Sequence, residues 1–186
     1  MRKWSLIAGV VVALGALSGV AAFEAAAPRE NWQEIAWPFP RDGWPAGRAF
    51  RCGASSCGEA IEVYVRPKLG FCNCDRGVAD DDEVDRVADL DLISPQFVPV
   101  QAGDVVRVAE MAGRIRAYHL RMQDGARHAA IGIAVSRGCD LLVAVAQGKG
   151  SAAEVRHAAL EFLGAHDTAR WMIAAMGGAL RRLSSN

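Results

Sequence analysis

An uncharged run from Trp4 to Phe23, WSLIAGVVVALGALSGVAAF, directly follows Arg2 and Lys3 and constrains this chain more than any other stretch. A basic start and an apolar core mark a secretory signal, whereas roughly 20 apolar residues are enough to cross a bilayer. The run is longer than a signal core of roughly 7 to 15 residues. The AxA-like candidate Ala25-Ala26-Ala27 also has Glu24 before it and Pro28 after it. Residues 1–23 are therefore expected to be an uncleaved anchor, with a cleaved signal as the alternative. Basic residues stay on the cytoplasmic side, so the chain beyond Glu24 is expected to cross. That places the domain in the periplasm, either single-pass on a bacterial inner membrane or free if the segment is cut. Gly15 and Gly19 match the GxxxG spacing that lets two membrane helices approach.

An oxidising compartment changes how the cysteines are read. Cys52, Cys57, Cys72 and Cys74 follow a C-x4-C, C-x-C spacing, and Cys139 stands apart. Exported thiols pair as disulfides, so two bridges are expected. Four cysteines allow 3 pairings. A Cys72–Cys74 bridge, with the residues two apart on a strand, lies at or beyond the upper end of good disulfide geometry. Pairing both with Cys52 and Cys57 is the expectation, because each bridge then closes a loop that contributes about 3 kcal/mol. The alternatives are a reducible Cys72–Cys74 pair with a redox role, and a structural metal held by Cys52, Cys57, Cys72 and Cys74. Cys139 is expected to be a small buried residue.

Organisation follows from composition and periodicity. Residues 24–47 hold four of the 7 prolines and three of the 5 tryptophans. This reads as an extended arm whose Trp32, Trp37 and Trp44 pack on the domain or meet the membrane interface or a partner. Residues 48–186 read as a single domain. Arg48–Cys52 and Glu59–Val65 form a hairpin, and DVVRVAEM, RIRAYHLRM, HAAIGIAVS and CDLLVAVAQ form a four-strand meander, its turns placed at Ala112-Gly113, Asp124-Gly125 and Ser136-Arg137-Gly138. Ser151 and Glu154 make a capping-box pattern ahead of an amphipathic helix, and a second helix starts near Asp167. The expected class is α+β, an antiparallel sheet with the C-terminal helices over one face.

The carboxylates from Asp80 to Asp91 begin a helix in which Asp80 caps and Glu83 reaches back. Counting from Asp80, the glycine and glutamate of an EF-hand loop are missing, leaving only an irregular oxygen site as a cation alternative. Asp85, Asp89 and Asp91 are candidates for a cationic partner. Arg107, Arg114, Arg116, Arg121 and Arg127 cluster in the meander and either complement these carboxylates internally or bind a partner of opposite charge.

Neither HExxH nor G-x-S-x-G occurs, and Gly148-Lys149-Gly150-Ser151 lacks the P-loop glycine. Removing Arg2 and Lys3 leaves 19 basic residues against 21 acidic, with no basic stripe, which excludes nucleic acid as a partner. The reading is a membrane-tethered, disulfide-stabilised accessory or binding domain with a protein partner, no cofactor and no catalytic residues. A thiol-disulfide or metal-handling role for the cysteine cluster is the alternative. A pocket bringing His119 or His128 beside carboxylates would point to an enzyme instead.

Overall fold

A strand with one solvated face alternates apolar and polar residues, yet every residue from Ala129 to Val135 and from Leu141 to Gly148 is buried. The cause is a sheet covered on both faces. The computed structural model describes residues 31–40, 42–70 and 74–183, with side chains as far as residue 177. The apolar run 4–23, its GxxxG spacing and Cys72 lie outside these residues. Among the described residues, no helix is long and apolar enough to cross a membrane.

Among the described residues, eight strands form one antiparallel sheet. They are β1 Trp32–Ile35, β2 Arg48–Cys52, β3 Ile61–Lys68, β4 Phe97–Pro99, β5 Asp104–Val108, β6 Met111–Arg121, β7 Arg127–Arg137 and β8 Asp140–Gly148. The spatial order is β1-β2-β3-β8-β7-β6-β4, with β5 on the same edge of β6 as β4 and beyond it. The helices are α1 Ala54–Cys57, α2 Asp81–Val87, α3 Leu90–Ile93, α4 Ala152–Gly164 and α5 His166–Leu183. The architecture is α+β, with both the hairpin and the meander present.

One face of the sheet, carrying Phe50, Val63, Ile131 and Ile133, packs against Val155, Ala159, Phe162 and Met172 of α4 and α5. Trp32 and Phe50 both lie on Phe162, with ring centroids 4.6 and 4.7 Å away. The opposite face, carrying Ala130, Ala134, Val143 and Val145, is covered by Val84, Val87 and Leu90 of α2 and α3. The expectation had helices on one face only; these two short helices supply the second layer. Local caps form as the sequence implies. Asp80 Oδ1 accepts from the Glu83 amide at 2.9 Å, and Ser151 and Glu154 complete a capping box.

Two expectations need correction. The turn between β5 and β6 falls at Ala109-Glu110, both at positive φ (47° and 68°), not at Ala112-Gly113. Gly113 belongs inside β6, where a Cβ would come within 2.0 Å of the Ala134 carbonyl oxygen. Its glycine serves a close backbone approach rather than a bend.

The disulfides also pair differently, as Cys52–Cys57 and Cys74–Cys139. The single turn of α1 returns Cys57 to Cys52, leaving their Cα atoms 6.0 Å apart. β3 then carries the chain some 23 Å to the far end of the sheet, at about 3.3 Å per residue. There Lys68 lies opposite Leu141, which brings Cys74 to the β7–β8 turn and Cys139. Cys139 is therefore bonded in an exposed turn and not buried as a free thiol. Cys74 sits too far from Cys52 and Cys57 to share either a bridge or a metal with them.

Closing a 65-residue separation restricts the unfolded chain more than closing one of 5. Cys74→Ser with Cys139→Ser is expected to lower stability by about 4 kcal/mol, and Cys52→Ser with Cys57→Ser by about 2 kcal/mol, in urea titrations.

Candidate functional site

The acidic helix and the meander arginines sort themselves by periodicity. Asp81 and Asp85, four apart, share one face of α2, and Asp89 follows at the same interval beyond its end, while Arg114, Arg116 and Tyr118 alternate on one face of β6. Asp81 accepts from Arg114 Nη2 at 2.6 Å and from the Gly103 amide at 2.8 Å. Asp85 accepts from Arg116 Nη1 at 2.7 Å and from the Tyr118 hydroxyl at 2.6 Å. The Gly103 amide and, after it, Arg114 hold the Asp81 carboxyl below its ordinary range against the opposing effect of burial. These carboxylates dock α2 on the sheet, so Asp85 is engaged within the domain.

Asp89, at φ 58°, reaches β3 instead. The Arg66 side chain is 3% exposed and lies between two carboxylates. Its Nε and Nη2 donate to Asp89 at 2.6 and 2.8 Å, and its Nη1 and Nη2 to Asp42 at 2.8 and 2.6 Å. Lys68 Nζ donates to Asp89 at 2.6 Å and to the Val87 carbonyl at 2.9 Å. Two buried cations thus meet two anions. The hydrogen bond from Arg66 is the main reason the Asp42 carboxyl falls from 3.8 to about 2.

Aromatic residues of the arm close over this cluster. Trp37 and Phe39 pack edge-on against Tyr64, Arg66 lies 5.8 Å from the Trp37 ring centroid, and Lys68 lies 5.8 Å from that of Trp44. Gly47 permits the approach, because a Cβ there would meet the Val65 carbonyl oxygen at 2.4 Å and the Trp37 ring at 2.6 Å. Of the partner candidates, Trp32, Trp37 and Trp44 are half-buried in domain contacts, and Asp91 is exposed on α3.

A second polar chain crosses the same face. Glu62 accepts from Arg51 Nε at 2.8 Å, from the Tyr64 hydroxyl and from Gln147 Nε2 at 2.9 Å. Burial opposes ionisation of Glu62, but hydrogen bonds from Tyr64, Arg51 and Gln147 outweigh it and hold the carboxyl below its usual range. A carboxylate only accepts, so Gln147 turns its amide nitrogen to Glu62 and its oxygen to His128 Nδ1, which must then donate. In the neutral ring Nε2 is left as an acceptor.

A more open concavity lies elsewhere. β6 and β7 pair to Arg121 and Arg127, whereas β8 ends opposite Ala129, so the β6–β7 hairpin overhangs its neighbour. Beside this overhang, β4 and the segment before it enclose a cleft of about 650 Å³ lined by Gln96, Val98, His119, Arg121 and Arg127 among others. Among the described residues, no carboxylate lines it. The residues singled out from the sequence are thus dispersed: Cys52 and Cys57 lie at one end of the sheet and Cys74 at the other, and Asp85 and Asp89 go to internal ion pairs. His119, named from the sequence only for a pocket with carboxylates, stands instead with Arg121 and Arg127, which form no ion pair among the described residues.

No family model matches the chain, and no curated protein does. Among solved structures, a protein of unknown function from Pseudomonas aeruginosa matches at 14% identity over 78% of each chain with a TM-score of 0.33, a likeness that carries no argument about function.

Because the Asp42 carboxyl is lower in the folded protein than in the unfolded chain, the stability it contributes is present above 3.8 and lost as the pH falls through about 2. Acid titration of unfolding free energy is expected to be less steep over this window in Asp42→Asn than in the parent. Asp89→Asn leaves Arg66 and Lys68 buried with half their counter-charge and is expected to cost about 3 kcal/mol in urea unfolding at neutral pH.

Proposed function

We propose that this chain is an exported accessory domain, held at the bacterial inner membrane by residues 4–23 and displaying a disulfide-stapled binding domain to the periplasm. The observation that carries this reading is the pair of bridges, Cys52–Cys57 and Cys74–Cys139, in a domain that follows an uncharged run with a basic start. Disulfides persist outside the reducing cytoplasm, and the longer bridge joins segments 65 residues apart. Internal use of Asp81, Asp85 and Asp89 supports binding through the cleft beside the β6–β7 overhang rather than through the acidic helix. The cleft is the binding surface of the domain.

A reporter enzyme that folds only after export, fused behind residue 186, tests the topology. Activity is expected in the membrane fraction, and deleting residues 1–23 is expected to abolish it. Activity retained after that deletion overturns export through this segment. Activity in the soluble periplasmic fraction keeps export and removes the tether.

A further inference from the structure

Of the five meander arginines, three find partners within the domain: Arg114 with Asp81, Arg116 with Asp85, and Arg107 with the Glu110 carbonyl at 3.0 Å. Arg121 and Arg127 form no ion pair among the described residues, although they face each other directly across the hairpin. The Arg121 amide donates sideways to the Gln96 carbonyl at 2.9 Å, so it does not donate to β7. The two arginines are therefore a non-hydrogen-bonded pair, the closer kind, with Cβ atoms about 4.5–5.5 Å apart. Like charges placed this way destabilise a sheet. The carboxylate nearest in sequence, Asp124, accepts from the Ala126 amide at 2.9 Å within the turn.

This charged pair sits on a built frame. The buried Ser94 hydroxyl donates to the Arg121 carbonyl at 2.6 Å, and the Gln96 amide donates to Ser94 Oγ at 3.1 Å, pinning one wall of the cleft to β6. His119 lies two residues from Arg121 on the same face of β6, opposite Val98, which is 63% exposed. Two guanidinium groups, an imidazole and an apolar wall thus share a cleft of about 650 Å³, within the size range of small-molecule sites.

We propose that this cleft binds a small organic oxyanion, a phosphate group attached to an apolar body, gripped between Arg121 and Arg127 with Val98 against the body. Guanidinium groups bind such oxygens with paired charge-assisted hydrogen bonds, and an anion between them turns the repulsion into attraction. The proposal deepens the reading above by naming what the binding surface recognises. A soluble phosphate ester and a lipid headgroup both present this chemistry.

The test uses the full chain in phosphatidylcholine nanodiscs, titrated calorimetrically with phenyl phosphate at constant ionic strength. The parent is expected to bind, Arg127→Met to bind at least about tenfold more weakly, and Arg76→Met, which removes an exposed arginine elsewhere, to match the parent. If phosphatidylglycerol in the discs abolishes phenyl phosphate binding, the natural source is a headgroup; if binding persists, it is a soluble ester. Without ligand, Arg127→Glu is expected to melt no lower than the parent, because it removes a repulsion. Equal binding by the parent and Arg127→Met, an equal loss in Arg76→Met, or a lowered melting temperature in Arg127→Glu overturns the proposal. The topology assay reads fractionation and not binding, so the two readings fail separately.

Discussion

Arg66 carries its charge into the interior, and three separated pieces of chain are arranged around that fact. A buried guanidinium must keep counter-charge and hydrogen bonds, since leaving it uncompensated costs several kcal/mol. Asp42 supplies one carboxylate from the arm and Asp89 the other from the junction of α2 and α3. Neither partner adds much net stability once its own desolvation is counted, but each fixes position. With Asp89 held at β3, the face of α2 that carries Asp81 and Asp85 lies over Arg114 and Arg116. Val84 and Val87 are then pressed on Ala130, Ala134 and Val143, and the second face of the sheet is closed. The continuous burial of β7 and β8 follows from that closure.

The same arrangement decides which charges remain outside. Arg114 and Arg116 lie on the face of β6 that α2 covers, whereas His119 and Arg121 have the opposite parity and lie on the other face, away from its carboxylates. On the other face α4 crosses from Arg156, bonded to Asp104, to Phe162 beside Trp32 and Phe50. His119, Arg121 and Arg127 stay exposed where the hairpin outruns β8. The cationic cleft is a consequence of element lengths as much as of composition.

Features decided within a few residues were legible in the sequence. The Asp80 cap, the Ser151 and Glu154 capping box, and the Asp124-Gly125 turn formed as read, because each rests on hydrogen bonds spanning two or three residues, although the Glu83 carboxylate accepts from Arg86 and the Asp80 cap stays one-sided. Features decided by which strand ends meet were not. Cys74 finds Cys139 only because β3 and β8 pair with Lys68 opposite Leu141, and no local pattern states that register. β3 itself was read as ending at Val65. It continues through Pro67 to Lys68 where β2 no longer pairs with it, and Arg66 and Lys68 lie on that extension. Gly113 was misread as a turn because glycine signals both bends and close approach. The docking of α2 left a usable trace in the four-residue interval of Asp81, Asp85 and Asp89 and the two-residue interval of Arg114, Arg116 and Tyr118. Matching the two periods separates the neutralised arginines from Arg121 and Arg127, which composition alone could not do.

The two ends of the sheet are built to different purposes, and the magnitudes allow it. At the β7–β8 turn, Cys74–Cys139 and the bond from the Gly70 amide to Asp140 at 2.7 Å tie loops together, the bridge alone contributing about 4 kcal/mol. At the β6–β7 turn, a like-charge pair opposes folding by about 0.2–1 kcal/mol. A domain stapled at one end can carry that opposition at the other without losing its fold. The oxyanion proposed for the cleft would place a negative group between the two charges and turn that opposition into attraction. Ser94 and Gln96 hold the β6 backbone beside the pair, so the point from which the Arg121 side chain starts is fixed.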